Sequence, residues 1–255
     1  MMLYRGIVTR VLALLLLGAP VAAQDTDVII SKYIEALGGS DALRAVTTLR
    51  LTGILDLTPS VRYNVTISMM RPNLYRYEME FRGTKIVEAF DGTNVWHINP
   101  FDGIDSPTLM ENEIQASKIK SEADIISPLV AARDRGYRVE YLGSQMVDGV
   151  ESLRLRVTFP DNYTTEYVLD SRDLLPRQFI RLERHNPRGR TNTVTTRVSD
   201  YRGAGKVLFA HRYEIDKGTQ TSILTIARIE INPGDVTPDI FAMKSSRPRD
   251  CRRRP

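Results

Sequence analysis

Residues Leu49 to Phe81 read "LRLTGILDLTPSVRYNVTISMMRPNLYRYEMEF", and their period decides the fold. Leu49, Leu51, Leu55 and Leu57 alternate with Arg50, Thr52 and Asp56. Val61, Tyr63, Val65, Ile67 and Met69 alternate with Arg62, Asn64, Thr66 and Ser68. Tyr75, Tyr77, Met79 and Phe81 alternate with Arg76, Glu78, Glu80 and Arg82. A period of two over runs of this length describes half-buried antiparallel strands, one face apolar and the other wet. Pro72-Asn73, Arg82-Gly83 and Asp91-Gly92 supply the turns.

Outward from this stretch the same pattern continues, with two helical exceptions. Before it, Val28, Ile29, Tyr33, Ile34 and Leu37 recur at helical spacing, with Asp27 available as an N-cap. Gly38-Gly39 ends that helix, and Ser40 can cap a second short one running to about Val46. After it, the segment from Met110 to Arg133 carries Ala, Glu, Lys and Ile without a period of two, and Pro128 starts or kinks its second half. Strand patterning resumes at Tyr137 and runs to Asn232, divided by turns such as Asp148-Gly149, Asp161-Asn162 and Lys217-Gly218.

This pattern predicts a mainly β (α+β) chain of about eleven antiparallel strands. A meander that wide curls because strands twist, giving a strongly curved sheet or incomplete β-barrel. Its apolar concave face must be covered, and the two helical segments are the available cover. Such an arrangement leaves room for an apolar cavity. The side chains sharing the inward phase are Leu51, Leu55, Val65, Ile67, Tyr77, Met79 and Phe81, with Leu155, Val157, Tyr167 and Ile229 as equivalents in the second half. Met69, Met70 and Met79 suit a surface that adapts to varied chains.

The two ends differ from the middle. Arg5 and Arg10 precede an apolar run, and Val21-Ala22-Ala23 places small residues where a signal peptidase cuts. Residues 1–23 therefore read as a secretory signal, 24–245 as one domain, and 246–255 as a basic disordered tail. No Cys stands at the cleavage point, so the expected product is periplasmic and not lipidated. The only Cys, Cys251, lies in the tail, which excludes an intrachain disulfide. Signal and tail hold seven Arg against Asp250, a net +6 of a total of +4, so the domain between is slightly acidic. Nucleic-acid binding is a poor reading of such a distribution. The Arg tail fits solvent or anionic headgroups better.

No catalytic constellation stands out. His97, His185 and His211 lie far from one another and from any Cys, whereas zinc needs three or four converging ligands. There is no Gly-x-Ser-x-Gly elbow and no glycine-rich loop opening a helix. In "FDGTNVWHINPFDG", Phe90 to Gly103, both Asp-Gly pairs are explained by turns that need positive φ. Trp96 and His97 alternate on the strand between them, one expected to pack and the other to face the wet side.

Five stretches together carry a resemblance: "YIEALGGSDALRAVTTLRLTG" from Tyr33, "FDGTNVWHINPFDG" from Phe90, "EADIISPLVAARDRGYRVEYLGSQMVDGVESLRLRVTFPDN" from Glu122, "SDYRGAGKVLFAHRYEI" from Ser199 and "IEINPGDVTPDIFAM" from Ile229. In order and spacing the chain resembles the outer-membrane lipoprotein-sorting proteins, the LolA/LppX-like superfamily of periplasmic lipid carriers. The ending "FAMK" lacks the Pro expected after Phe-x-Met, with Lys244 in its place. The resemblance implies a half-barrel closed by helices around an acyl-chain cavity, with no enzymatic activity, no cofactor and no metal. It implies an acylated lipoprotein or lipid as partner, and a membrane-bound donor or acceptor as a further one. The alternative it leaves open is a sensor or interaction module that reports lipids to a partner protein through the same fold.

Overall fold

The computed structural model describes residues 21–184 and 191–244. Most of the expected signal segment, His185, Cys251 and the basic tail lie outside the described residues. Thirteen strands form one sheet in the order β6-β5-β4-β3-β2-β1-β13-β12-β11-β10-β9-β8-β7. The first six are β1 (Thr48–Thr58), β2 (Val61–Met70), β3 (Leu74–Phe81), β4 (Thr84–Phe90), β5 (Val95–Asn99) and β6 (Ile104–Leu109). The other seven are β7 (Arg138–Val147), β8 (Val150–Thr158), β9 (Thr164–Asp170), β10 (Pro176–Arg184), β11 (Thr191–Ala204), β12 (Val207–Asp216) and β13 (Thr221–Ile231).

Every pairing in this sheet is antiparallel. Twelve antiparallel steps separate β6 from β7, so the two edge strands run in the same direction. Parallel neighbours cannot be joined by a tight turn and need a crossover of a dozen residues or more. Residues 110–137 are that crossover, and they contain α3 (Glu113–Ser121) and α4 (Pro128–Arg135). The helical interval thus links the two open edges of the sheet, with α3 packed against β4, β5 and β10 and α4 against β7 and β8.

The strand count exceeds the expected eleven because short edge strands leave little trace. β6 reads "IDSPTL", with Pro107 in its middle and most of its side chains exposed. Proline is tolerated there because an edge strand has no partner for every N–H. Several turns match the expectation in detail. Arg82 and Gly83 both have positive φ, as do Asp148 and Gly149, which is the backbone that tight hairpins require.

The helices show why their sequences suit them. Asn112 Oδ1 accepts from Gln115 N at 3.2 Å, Glu113 stands in the first turn of α3, and Lys118 and Lys120 stand in the last; these charges complement the helix dipole. Ser127 Oγ caps α4, Pro128 opens it, and Gly136 closes it at φ 68. Before the sheet come α1 (Val21–Ala36) and α2 (Ser40–Ala45). Here two caps differ from expectation. Asp27 lies inside α1 and not at its start, its carbonyl accepting from Ser31 Oγ. Ser40 is the first residue of α2, and Gly39 is the N-cap, without a side-chain bond. Ile29, Tyr33 and Leu37 are buried as expected, while Val28 faces solvent.

Gly38 holds α1 against the sheet. Its φ is 126, and a Cβ there would run into the Lys206 carbonyl; only glycine allows that approach. The contact is fixed by Leu208 N donating to Leu37 O at 2.9 Å.

The convex face is not uniformly wet. After β13 the chain turns back across it, through a single turn of 3-10 helix at Pro238–Ile240. Arg50 on β1 pairs with Asp235 at 2.9 Å. Arg76 on β3 donates to Ile240 O at 2.9 Å, and Trp96 Nε1 on β5 donates to Phe241 O at 2.9 Å. Val87, Ala89 and Trp96 form a second small core under this strap, with Ile98 and Met243 against it. Trp96 therefore packs on the outside of the sheet, and its neighbour His97 points inward.

Candidate functional site: the cavity under the crossover helices

Between the concave face and the crossover lies a cavity of about 1180 Å³. That is larger than the ~300–1,000 Å³ of ordinary small-molecule pockets. Its apolar wall comes from the centre of the sheet. Of the eleven side chains expected to face it, Leu51, Leu55, Ile67, Tyr77, Met79 and Tyr167 line it. Met69 also reaches the space, while Met70 on the opposite face of β2 is not part of the lining.

The other five do not line it. Val65, Leu155 and Val157 are packed into the core, at 2%, 0% and 0% exposure. Phe81 stacks beside Tyr63, ring centroids 5.3 Å apart, so that Tyr63 reaches the cavity and Phe81 backs it. Ile229 lies beyond an irregularity between β1 and β13 at Thr52/Gly53 and packs against the core there. On β13 the cavity is met by Leu224 and Ile226 instead. Strand alternation found the inward phase, but not how far along each strand the helices press the sheet shut.

The charged part of the site could not be read from alternation. Arg181 on β10 donates to Glu183 Oε1 at 2.8 Å and pairs with Oε1 of Glu122, the C-cap of α3, at 2.9 Å. Lys118 Nζ of α3 lies 3.6 Å from Glu122 Oε2, to which Tyr75 on β3 donates at 3.1 Å. Lys217 lies 3.4 Å from Glu183 Oε2. One turn earlier on α3, Gln115 donates to Glu88 Oε1 on β4 at 2.9 Å. Helix α3 is thus tied on one side to β3 and β4 and on the other to β10.

Burial alone would push these groups toward neutrality, and their mutual pairing reverses this. Burial raises the Glu183 carboxyl, but Lys118, Arg181 and Lys217 together bring it down to about 2. Burial opposes the Lys118 ammonium, yet Glu122, Glu88 and Glu183 hold its pKa above the ordinary lysine range. Tyr75 and Tyr77 are pushed up, chiefly by burial, and stay neutral. Every carboxylate in the network is engaged by a cation or an amide, so the network acts as a clamp across the cavity.

A second polar group closes the far side. Asp124, in the link between α3 and α4, is buried, with Arg135 Nε at 3.5 Å from Oδ1. Burial raises its pKa, against the pull of Tyr137, Arg135 and Arg71. Ser127 caps α4 and also meets the hydroxyls of Tyr33 and Tyr167. These contacts fix the position of the link over the apolar wall. Among the described residues no group of three or more His, Cys, Asp and Glu could hold a metal ion. His97 lines the cavity, across from Glu88 on β4 and Thr108 on β6.

An open, curved antiparallel sheet with helices over its concave face and a cavity beneath them is a fold shared with solved structures. A LolA superfamily protein from Nitrosomonas europaea has this fold, with a TM-score of 0.56 and 14% identity over 87% of this chain and 98% of its own. A domain from Vibrio parahaemolyticus named for outer membrane lipoprotein sorting aligns with a TM-score of 0.55 and 12% identity, over 86% of this chain and 99% of its own. A DUF1329 family protein from Desulfovibrio piger aligns with a TM-score of 0.54 and 8% identity, over 82% and 94%. At these identities the likeness is one of fold. By sequence, no family model and no curated protein matches the chain.

Proposed function

We propose that the protein is an exported, non-enzymatic carrier or binder of acylated cargo, a lipid or the lipid anchor of a lipoprotein. The observation that carries this reading is the cavity. Its wall of Leu51, Leu55, Ile67, Met69 and Met79 offers shape and apolar surface, and the charged groups Arg181, Glu122, Glu183 and Lys217 are paired with one another. Such a site recognises length and volume of hydrocarbon, not a reacting functional group. An acyl chain of about 14 methylenes gains roughly 11 kcal/mol gross on burial, at ~0.8 per CH₂. Losses of motion and rearrangement of the helices reduce this to a reversible affinity, as delivery demands.

Export is part of the same proposal. Cleavage after Ala23 would leave Ile29 and Tyr33 of α1 and Leu37 just after it, all buried, in place. No helix among the described residues is long and apolar enough to cross a membrane. The reading is tested by extracting protein purified from the periplasmic fraction and identifying bound lipid by mass spectrometry. A stoichiometric acyl lipid and a mature chain beginning at or near Gln24 are the expected results. Lipid-free protein that takes up no acyl compound would overturn the carrier reading.

A further inference from the structure

On the convex side, away from the cavity, a cleft of about 200 Å³ opens over β10, β11 and β12. Arginines from three successive strands meet there: Arg177 of β10, Arg197 of β11 and Arg212 of β12. The register brings Arg197 and Arg212 together, and Arg177 joins them from the irregularity between Pro176 and Gln178. Gln178 lies opposite Arg197, Arg197 opposite Glu214, and Ser199 opposite Arg212. Side chains directly opposite on antiparallel strands stand about 4.5–5.5 Å apart. Their neighbours along the strands, Phe179, Thr196 and Tyr213, belong to the other face and line the cavity. Asp148, at the β7–β8 turn, completes the rim.

The donors of this cleft are under-used. Arg177 Nε is buried and has no hydrogen-bond partner. Its NH1 reaches Asp170 Oδ2 at 3.3 Å, but that carboxylate is already gripped by Arg172 at 3.0 and 2.8 Å. Arg197 holds Glu214 by a single contact of 3.4 Å. Among the described residues the Arg212 guanidinium has neither an ion pair nor a side-chain hydrogen bond. A buried guanidinium N–H without an acceptor is costly. Three arginines with so much free donor capacity, beside the Gln178 amide and the Ser199 hydroxyl, form a surface that lacks an acceptor.

We infer that this cleft binds a phosphate-type oxyanion, either free or on a lipid headgroup. Guanidinium forks match phosphate oxygens two at a time. A tetrahedral group with several terminal oxygens can meet forks arriving from three strands, whereas a flat carboxylate meets one well. Three guanidiniums against the two rim carboxylates, Asp148 and Glu214, leave the lining with an excess of positive charge. Glu214 keeps Arg197 turned into the cleft. Nothing here depends on the cavity's cargo.

Calorimetric titration with inorganic phosphate, beside co-sedimentation with phosphatidylcholine vesicles with and without phosphatidic acid, tests the site. Wild type should bind phosphate, and more weakly as salt rises. Arg212→Gln and Arg177→Gln should each weaken binding about tenfold or more, the effect of losing a charge-assisted pair. Arg228→Gln, an outward arginine on β13 paired with Glu230, should leave binding unchanged. Arg212 has no side-chain partner, so its variant should melt as wild type does. Binding to phosphate together with phosphatidic acid vesicles marks a headgroup site; binding to phosphate alone marks a soluble ligand. A wild type that binds neither, or an Arg212→Gln variant that binds as wild type does, overturns the inference.

Discussion

Arg181 shows how one side chain can join two halves of a sheet. It is a buried cation on β10 whose partners are Glu183 on its own strand and Glu122, the C-cap of α3. Removing one member of such a network strands the others, at a cost of about 3–5 kcal/mol. Arg181→Met should therefore lower the unfolding free energy by that order in a denaturant titration. The double variant Arg181→Met/Glu122→Gln should lose less than the sum of the two singles. Glu183 makes the same network sensitive to acid. Its folded pKa of about 2 lies below its ordinary value of 4.5, so its contribution is present above about pH 4.5 and is lost as pH falls toward 2. The stability difference between wild type and Glu183→Gln should be largest near neutral pH, on the order of 3 kcal/mol, and should shrink through that window. A pH-independent difference would contradict the ionic role. None of this was legible in "RQFIRLER". Ile180 and Leu182 compete with Phe179 for the inward phase, and an apolar-in rule cannot choose between them. In the structure Phe179 wins, carrying Arg181 and Glu183 inward and leaving Leu182 about half exposed. Its ring meets Tyr167 edge-on at 5.1 Å.

At the scale of elements, strands and turns were the readable part, because period two and Asp-Gly or Arg-Gly pairs are local signals. The C-terminal strap was not readable. "NPGDVTPDIFAM" has no period, and its fully buried Phe241, whose carbonyl accepts from Trp96 of β5, finds cover only once the sheet has formed. For the same reason Trp96 looked like half of an in-out pair, when both faces of its strand are covered. Phe241→Ala should cost about 3–5 kcal/mol as a large-to-small core change. Trp96 is the only tryptophan, so its fluorescence reports the strap directly. Emission should shift to the red in Phe241→Ala while the far-ultraviolet β signal persists. A blue, unshifted emission would mean that the strap does not shield Trp96. At the start of the sheet, Gly38→Ala should destabilise the docking of α1, since it combines a positive φ with a backbone clash. Cooperative unfolding at a lower temperature is the expected reading.

At the scale of the molecule, parity ties sequence to function. An odd number of antiparallel strands leaves the two edges parallel, so the chain must cross between them. The crossover is where the helices are, and the cavity is what they enclose. The curved sheet and the covering role of the segment from Met110 to Arg133 followed from patterning alone, as did six of the side chains on the apolar wall. The size of the cavity and the clamp that spans it depend on the angle at which α3 crosses, which no local pattern encodes. The central claim is that this space takes up acyl chains. The most direct measurement is titration of wild type, Met79→Glu and Ile67→Lys with a fluorescent fatty acid, with circular dichroism as the control for folding. Saturable uptake by wild type, weakened about tenfold or more in both variants while the β signal is retained, is the predicted result, since each substitution places an unpaired charge on the apolar wall. Wild type that takes up no probe, or variants that bind as well as wild type, would contradict it.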